Sequence, residues 1–344
     1  MLTVVGARPQ FVKAAAVSRA MATSSRLSET IVHTGQHYDP NMSDIFFEEL
    51  GIPAPQHHLH IGSGSHGRQT GQMITGIEEI ILAEKPDAVL VYGDTNSTLA
   101  GALAAAKLHI PVVHSEAGLR SFNKRMPEEV NRLLTDHVSA LLLCPTRAAV
   151  RNLAREGITQ NVETVGDVMY DATLFARGKS QTRNFCAQLG VENQAFALLT
   201  IHRAENTDDA KRFAEIIGYI DSFAKDMTIV FPIHPRTRPR LERLGRRPDS
   251  WRIIDPLSYF DLHAVLANAQ LVLTDSGGLQ KEAYFHRKPC ITLREETEWV
   301  ETVEAGWNRL WTSKDYASPR REIADYGDGD ASARTVALIE KMLG

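Results

Sequence analysis

Short apolar runs rich in β-branched residues alternate along this chain with longer segments of helical period. This alternation is typical of βαβ units, in which helices connect parallel strands. In the first half of the chain it predicts strands at Leu2–Val5, Thr30–His33, Ala88–Tyr92, Val112–His114, Ala140–Leu143 and Val162–Val165. The connecting helices are predicted to include Phe11–Met21, Gly71–Ala83, Thr98–Leu108 and Glu128–Val138. The first half should therefore fold as a doubly wound parallel sheet.

The same rhythm begins again after Gly166. It predicts strands at Phe196–Thr200, Thr228–Ile233, Trp251–Ile254, Leu271–Leu273 and Cys290–Leu293. A chain of 344 residues is also longer than one hydrophobic core usually supports. We therefore predict an α/β protein with two domains, residues 1–166 and residues 167–329. Apolar residues of helical period predict a last helix, and we expect residues 330–344 to pack back on the first domain.

Charge and composition exclude several classes of partner. The net charge is -4 and no block of five Lys or Arg residues occurs, which argues against a nucleic-acid or anionic-membrane partner. No apolar stretch approaches the roughly 18 residues of a membrane-spanning helix, so we expect a cytoplasmic protein. Cys144, Cys186 and Cys290 are isolated and odd in number, which predicts reduced packing residues and neither a disulfide nor a zinc site.

Residues that follow the strands carry most of the functional information, because ligands of an open parallel sheet bind beyond the carboxyl ends of its strands. The segment Gly6–Pro9 follows the first strand and opens a helix that contains Lys13. Such a segment can bind a phosphate, although an ordinary turn has the same sequence. Asp94 and Glu116 follow two further strands. Glu128 has a simple structural explanation, since acids in the first turn of a helix complement its dipole, but Asp94 and Glu116 have none.

The second domain also has polar residues after its strands. His202 and Arg203 follow the first strand and His234 follows the second, where core packing does not readily explain them. The segment Thr274–Ala283 follows a later strand and opens a helix. Its serine and two glycines allow backbone N–H groups to approach a pyrophosphate, and Glu282 can accept hydrogen bonds from ribose hydroxyls. A simple turn with a helix N-cap is the alternative interpretation.

A histidine-rich segment, His57-His58-Leu59-His60, has the composition of a metal site. It contains neither a carboxylate nor a cysteine at ligand spacing. We interpret it as a surface loop and predict no metal site.

The motifs together resemble those of the non-hydrolysing UDP-N-acetylglucosamine 2-epimerases. They occur in the family's order over nearly the whole chain and are Gly6-Ala7-Arg8-Pro9, Gly35-Gln36-His37-Tyr38, Gly93-Asp94-Thr95, Glu116-Ala117-Gly118-Leu119-Arg120, Pro127-Glu128-Glu129, His202-Arg203-Ala204-Glu205-Asn206 and Asp275-Ser276-Gly277-Gly278. The resemblance implies two Rossmann-like domains in the glycosyltransferase-B arrangement, with the active site in the cleft between them. It also implies a UDP-sugar substrate, no added cofactor and a homodimer.

The chemistry that the resemblance implies is elimination followed by re-addition of UDP. A base removes the C2 proton, UDP leaves C1, and the resulting glycal takes both back with C2 inverted. The acid–base residues carried over are Asp94, Glu116 and Glu128, with His202 near the diphosphate. Such a step needs a carboxylate whose pKa is raised by burial or by a like-charged neighbour. The sequence does not decide which acid acts on which face of C2.

Further positions match binding residues of the family. The UDP contacts carried over are Arg8, His202, Ser276, Gly277, Gly278 and Glu282, with Lys13 and Arg132 as supporting charges. Some bacterial members of the family bind a second UDP-sugar as an activator. The positions that match this second site are Gln36, His37, Arg68, Gln69, Arg203 and His234.

Several departures from the family pattern concern the sugar. Lys124 and Arg125 lie in Ser121–Met126, where many N-acetylglucosamine epimerases have a segment with tyrosine and tryptophan. Lys281 stands where a second acid is common. These variants, with those around His202, resemble the branch that acts on UDP-2,3-diacetamido-2,3-dideoxyglucuronic acid. Lys124 and Arg125 are therefore candidates for binding a C6 carboxylate, with solvated loop charges as the alternative.

Three other functions fit parts of the pattern. A glycosyltransferase of the same architecture also holds UDP between its domains, but usually needs one base, whereas this chain has three candidate carboxylates. A hydrolysing epimerase would release UDP and free sugar, and a UDP-sugar-binding regulator would have no turnover. The motif set favours the non-hydrolysing epimerase, with a role in surface polysaccharide synthesis.

Overall fold

The computed structural model describes residues 1–36, 47, 49–181, 183–223, 225–245 and 249–344. Its internal contacts divide the chain into two compact units. The first unit contains Met1–Ala172 and Ala324–Gly344, and the second contains Thr173–Ile323. Among the described helices, none combines the length and the apolar character that crossing a membrane requires.

Strands and helices alternate in both units. The strands are β1 (Leu2–Val5), β2 (Thr30–His33), β3 (His57–His58), β4 (Val89–Tyr92), β5 (Val112–Ser115), β6 (Leu141–Cys144), β7 (Val162–Thr164), β8 (Phe196–Thr200), β9 (Thr228–Pro232), β10 (Trp251–Ile254), β11 (Leu271–Thr274), β12 (Cys290–Thr292) and β13 (Asn308–Leu310). The helices are α1 (Arg8–Met21), α2 (His66–Glu84), α3 (Asn96–Lys107), α4 (Pro127–Val138), α5 (Arg147–Arg155), α6 (Val168–Ser180), α7 (Phe185–Gln188), α8 (Ala204–Thr207), α9 (Ala210–Asp221), α10 (Arg238–Arg243), α11 (Tyr259–Asn268), α12 (Gly277–Phe285), α13 (Val300–Glu304) and α14 (Ala331–Leu343).

Each unit is built on one parallel sheet. Over the described residues, the first sheet has seven strands in the order β3-β2-β1-β4-β5-β6-β7, and the second has six in the order β10-β9-β8-β11-β12-β13. The predicted α/β fold with two doubly wound parallel sheets is thus confirmed. In each sheet the strand order reverses beside the first strand of the unit, so the crevices lie beyond β1 and β4 and beyond β8 and β11.

Two short strands differ from the sequence-based assignment. The sequence predicted a loop at His57 and His58, but these residues form β3 beside β2. The strand β13 was not predicted at all, and it pairs with β12 at the edge of the second sheet. Edge strands are often short and polar, so they lack the apolar run by which a central strand is recognised. Neither difference affects the crevices.

The central strands supply the core of each unit. Most of their apolar side chains are fully buried, as are those of the helical faces that cover them. In the first unit α14 packs against α1, and Ser24 donates a hydrogen bond to Glu340 Oε1 at 2.5 Å. Free Cys144, Cys186 and Cys290 are all buried. The rigid central strands fix where the following loops begin.

Candidate active site

The turn after β1 packs closely against its neighbours. A Cβ atom on Gly6 would lie 2.0 Å from Thr34 Oγ1 and 2.2 Å from Ser97 Oγ, so only glycine fits. The side-chain oxygen of Gln10 accepts hydrogen bonds from the N–H groups of Gly6 and Ala7, at 2.9 and 3.1 Å. These two N–H groups therefore have a protein acceptor, and Gln10 organises the turn. The sequence motifs did not predict this role of Gln10. The turn leads directly into α1, whose first residue is the half-buried Arg8.

A buried ion pair joins α1 to the end of β5. Lys13 Nζ contacts Glu116 Oε2, and the two side chains are only 10% and 8% exposed. The loop after β4 lies against the same pair, since a Cβ on Gly93 would approach both charged atoms to 3.1 Å. Glu116 has a φ of +73°, in the left-handed region that residues other than glycine adopt at a cost. The strained backbone directs this carboxylate to Lys13.

A second ion pair joins α4 to the end of β4. Arg132 contacts Asp94 Oδ2 through one terminal nitrogen and Glu129 Oε2, at 2.7 Å, through the other. Asn131 donates to the backbone oxygen of Asp94 at 2.9 Å. Glu128 is half-buried, three and four residues before Asn131 and Arg132, so all three share one face of α4. Asp94 and Glu116 thus each have a cation beside them, whereas the sequence predicted burial or a like-charged neighbour around an acid–base carboxylate.

Glu129 anchors the loop that precedes α4. Its carboxylate accepts hydrogen bonds from the N–H groups of Ser121 and Phe122, both at 2.9 Å, and from the Ser121 hydroxyl at 2.9 Å. The side chain is buried, which first-turn dipole compensation does not require. This loop carries Lys124 and Arg125, whose side chains are exposed. Glu129 therefore fixes the start of the segment that bears the two candidate cations.

Behind these loops lies a buried network that motif reading missed. His114 is 2.7 Å from Asp136 Oδ1 and 2.8 Å from the backbone oxygen of Gly93. Asp136 Oδ2 accepts from the N–H of Gly118 at 3.1 Å and from Arg120 at 2.7 Å. Burial would raise the pKa of Asp136, but the charges of His114 and Arg120 outweigh it and hold the pKa below its ordinary value. The network positions the backbone on both sides of Glu116.

In the second unit one carboxylate organises the loop after β8. Asp275 is fully buried and accepts hydrogen bonds from the N–H groups of His202 and Arg203, at 3.1 and 3.0 Å. Asn206 also donates to it, at 3.2 Å. The ring Nδ1 of His202 lies 3.2 Å from the other oxygen, and 41% of the His202 side chain is exposed. The ring of exposed His234 is 6.0 Å away, so these two histidines lie together.

The helix α12 begins at the same crevice. Ser276 is its N-cap, and its hydroxyl accepts from the N–H of Leu279 at 3.5 Å. Gly277 and Gly278 form the first turn, where the N–H groups of a helix point outward. A Cβ on Gly277 would lie 2.5 Å from Glu298 Oε1, so a side chain there would require the Glu298 side chain to move. The Glu298 carboxylate therefore lies beside the first turn of α12.

Lys281 and Glu282 lie one turn further along α12 and are both buried. The Lys281 ammonium is 3.7 Å from the centre of the Trp299 ring, a cation–π contact. Trp299 therefore packs on Lys281, the residue that stands where a second acid is common in the resembling family. Glu282 Oε1 lies 3.6 Å from His263 Nε2.

The candidate second-site residues divide between the two units. Gln36 accepts hydrogen bonds from Ser97, and Gln69 accepts one from Asn96 at 2.8 Å, so both lie at the start of α3 next to the Asp94 loop. Arg68 is exposed, and His37 lies outside the described residues. Arg203 and His234 belong to the second unit. Across the residues that the structure describes, no group of three or more His, Cys, Asp or Glu side chains could hold a metal ion.

Known proteins match this chain over nearly its whole length. Residues 19–340 match the family described as UDP-N-acetylglucosamine 2-epimerase. A Pseudomonas aeruginosa protein named UDP-2,3-diacetamido-2,3-dideoxy-D-glucuronate 2-epimerase is 50% identical, over 99% of this chain and 99% of its own. A Methanococcus maripaludis UDP-N-acetylglucosamine 2-epimerase is 42% identical, over 98% of this chain and 97% of its own.

A solved structure extends the match to the fold. The crystal structure of the Methanocaldococcus jannaschii UDP-GlcNAc 2-epimerase, in complex with UDP-GlcNAc and UDP, superposes with a TM-score of 0.88. It is 42% identical, and the match covers 99% of this chain and 98% of that one.

Proposed function

This chain belongs to the UDP-N-acetylglucosamine 2-epimerase family and catalyses non-hydrolysing epimerisation at C2 of a UDP-N-acetylated hexosamine, and we propose that Asp94, Glu116 and Glu128 carry the proton transfers. The observation that carries this assignment is the pair of cation-bound carboxylates, Lys13 with Glu116 and Arg132 with Asp94, beyond the ends of β5 and β4. Two acids held in fixed positions are what inversion at one carbon requires.

The proposed reaction has two stages. One carboxylate takes the proton from C2 as the bond between C1 and the UDP oxygen breaks, leaving a glycal and UDP. The reverse stage returns UDP to C1, while an acid on the other face delivers a proton to C2. Proton transfer by a positioned group contributes about 10²- to 10⁴-fold to a rate. Lys13 and Arg132 hold the carboxylates in place and balance their charge, and Glu128 completes the set.

The second unit is proposed to hold UDP. The N-terminus of α12 offers outward N–H groups at Ser276, Gly277 and Gly278 for the diphosphate, whose negative charge the helix dipole favours. His202, exposed beside this turn and fixed through Asp275, can donate to the departing phosphate oxygen. Arg8 adds a charge to the same nucleotide, and Glu282 accepts from the ribose.

Solvent isotope exchange tests the reaction. The protein is incubated in deuterium oxide with UDP-N-acetylglucosamine and, separately, with the 2,3-diacetamido-glucuronic acid nucleotide, and C2 is followed by NMR. We expect an inverted UDP-sugar with deuterium at C2, formed without an added nicotinamide and unaffected by EDTA. Release of free sugar and UDP would identify a hydrolysing enzyme instead. Activity lost in EDTA and restored by a divalent metal would contradict the proposed metal-free chemistry.

We propose further that the substrate carries a carboxylate at C6. Lys124 and Arg125 bring two exposed positive charges on a loop that Glu129 anchors next to the Arg132–Asp94 pair. A guanidinium can bind a carboxylate through two parallel hydrogen bonds, which a neutral C6 hydroxyl cannot match. The match to a protein named for the diacetamido-glucuronate substrate points the same way.

Substitution of Arg125 tests this preference. Wild type should favour the glucuronic acid nucleotide in kcat/KM, and Arg125→Ala should reduce the ratio of kcat/KM values about tenfold, as expected for one charge-assisted contact. Arg151→Ala, an exposed arginine on α5, is the matched control and should leave the ratio unchanged. If wild type favours UDP-N-acetylglucosamine and Arg125→Ala has the same ratio of kcat/KM values, then Lys124 and Arg125 are solvated surface charges and the proposal is wrong.

Other features stay proposals from the family resemblance. We propose a homodimer in the cytoplasm, a role in surface polysaccharide synthesis, and activation by a second UDP-sugar. The contacts of Gln36 and Gln69 around the start of α3, next to the Asp94 loop, support a proposal in which a second nucleotide-sugar bound there influences that loop. Light scattering tests the dimer. A sigmoidal rate dependence on UDP-sugar, lost in Gln69→Ala, tests the activation.

A further inference from the structure

A chain of buried polar side chains lies behind α12. His263, on α11, is fully buried, and its Nδ1 lies 2.8 Å from Nε2 of His286. On the other side of the ring its Nε2 lies 3.6 Å from Glu282 Oε1. His286 and Glu282 are only 8% and 5% exposed, so both side chains are largely shielded from bulk water. His263 therefore connects His286 to the carboxylate that we propose for the ribose.

The His263 ring is held in place but not fully satisfied. The ring of Tyr259 meets it edge-on, with centroids 4.4 Å apart. Its Nε2 is enclosed and makes no hydrogen bond with any described residue. A buried nitrogen without a partner is unfavourable, so the position of His263 Nε2 towards Glu282 calls for an explanation.

The protonation of the two histidines follows from the geometry. Burial is the largest cause that lowers the pKa of His286, to about 2, so this ring is neutral and has a single N–H. If His286 donates through Nε2, then Nδ1 of His263 accepts and the proton of His263 is on Nε2. In the opposite arrangement, Nε2 of His263 carries a lone pair that faces the Glu282 carboxylate. The two repel each other strongly in a medium of low dielectric. The arrangement with Nε2–H facing Glu282 is the favourable one.

We propose that His263, held by its contact with His286, is a positioning residue that orients the Glu282 carboxylate towards the ribose hydroxyls of the nucleotide. This inference rests on the proposed function, because it takes Glu282 as the ribose acceptor. In this proposal the His263 N–H attracts Glu282 Oε1 and so fixes the orientation of the carboxylate. His263 itself does not touch the nucleotide.

The test measures discrimination for the ribose hydroxyls. Calorimetry gives the Kd of the full chain for UDP and for 2′,3′-dideoxy-UDP, which lacks both hydroxyls. Wild type should prefer UDP about 30-fold, as hydrogen bonds to a charged acceptor imply. His263→Phe keeps a ring but removes both nitrogens, and should lower the preference to about threefold. His263→Gln retains an N–H near the position of Nε2 and should keep most of the preference.

Two further variants separate positioning from a general loss of stability. Val265→Ala removes buried volume from the same helix and should lower stability without changing the preference. In a Glu282→Gln background, His263→Phe should change the preference no further, because the oriented group is already altered.

The failures are distinguishable. Absence of UDP binding in wild type would refute the nucleotide half of the proposed function. A wild type that binds UDP but does not discriminate against the dideoxy compound overturns the inference and leaves the epimerisation standing. An unchanged preference in folded His263→Phe overturns it as well. If His263→Phe does not fold, His286→Leu decides, since it removes the nitrogen that holds Nδ1 of His263. A wild-type preference in that variant rejects the proposal.

Discussion

The two sheets have the same strand order around their crevices, yet the loops beyond them are built differently. In the first unit, carboxylates point to cations, with Lys13 against Glu116 and Arg132 against Asp94. In the second unit the carboxylate of Asp275 is fully buried and accepts hydrogen bonds from backbone N–H groups and from Asn206. In the proposed function, the first arrangement supplies acidic groups that exchange protons. The second has a fixed backbone and a helix N-terminus, with the exposed ring of His202 beside them.

This difference shows that one topology supports two kinds of site. A crevice at the switch point is a property of the strand order, whereas its chemistry depends on the few residues after each strand. In the proposed function, the first unit supplies acids for the reaction and the second supplies N–H donors for an anion. Substitutions with the largest effect on turnover should therefore map to the first unit, and those with the largest effect on UDP affinity to the second.

The largest effects should follow neutralisation of the carboxylates of the first unit. Asp94→Asn, Glu116→Gln and Glu128→Gln should each lower kcat on the order of a hundredfold or more with little change in KM, because a lost acid–base group acts on the transition state. Glu163→Gln, an exposed acid on β7 of the same unit, is the control. Near wild-type turnover in the three variants would remove these carboxylates from the mechanism.

Acid should weaken the second unit first. The pKa of His286 is lowered to about 2, so the unfolded chain takes up this proton as pH falls below the ordinary value of 6.5 while the folded unit does not. The second unit should thus lose about 2 kcal/mol of stability between pH 7 and pH 5. Asp136 in the first unit has a lowered pKa, so its contribution is lost only as pH falls below the ordinary value of 3.8. Hydrogen exchange at pH 7, 6 and 5 measures each unit.

The matched variant for this prediction is His286→Leu. It has no proton to gain, so the stability of its second unit should depend less on pH over the same range. Equal acid sensitivity of wild type and variant would mean that His286 is not the responsible group.

Disturbing the second crevice should affect binding instead of turnover. Asp275→Asn removes an acceptor oxygen and leaves N–H groups of the His202 loop without a charged partner, so the Kd for UDP should rise about tenfold. Calorimetry measures the Kd, and kcat should fall by less than in Glu116→Gln, because only the support of the His202 donor is weakened. A fall in kcat as large as that of Glu116→Gln would break the division between the two units.

The smallest effects are expected from single polar contacts at the same crevice. Ser276→Ala removes one hydroxyl and the N-cap of α12, and should raise the Kd for UDP by about three- to fivefold. Arg8→Ala should weaken UDP binding to a similar degree. Thr95→Ala, the N-cap of α3 in the first unit, is the control for capping alone. An equal change in the control would assign the Ser276 effect to helix capping.

The sequence predicted the central strands well because their signal is local. Leu2–Val5 and Phe196–Thr200 are apolar runs that end at polar or glycine residues, and the structure has the same bounds. The edge strands β3 and β13 escaped prediction because two or three polar residues carry no such signal. They are strands because they form hydrogen bonds with β2 and β12, and these pairings are not visible in the sequence.

The site was predictable in its positions but not in its contacts. Strand ends pointed to Asp94 and Glu116, yet their cations come from helices far along the chain. Glu129 looked like an ordinary first-turn acid, because its partners are backbone N–H groups of a loop whose conformation the sequence does not specify. The pairing of His263 with His286 depends on how α11 packs beside the end of α12.

The left-handed backbone of Glu116 sets a limit on engineering this protein. Glycine adopts that conformation without strain, but Glu116→Gly would also leave the buried Lys13 ammonium without its partner, so this replacement should destabilise the folded chain. Relief of the strain would require a second replacement at Lys13, and the product would lack a proposed acid. Stabilised designs of this chain should therefore hold position 116 unchanged and be screened by turnover as well as by melting temperature.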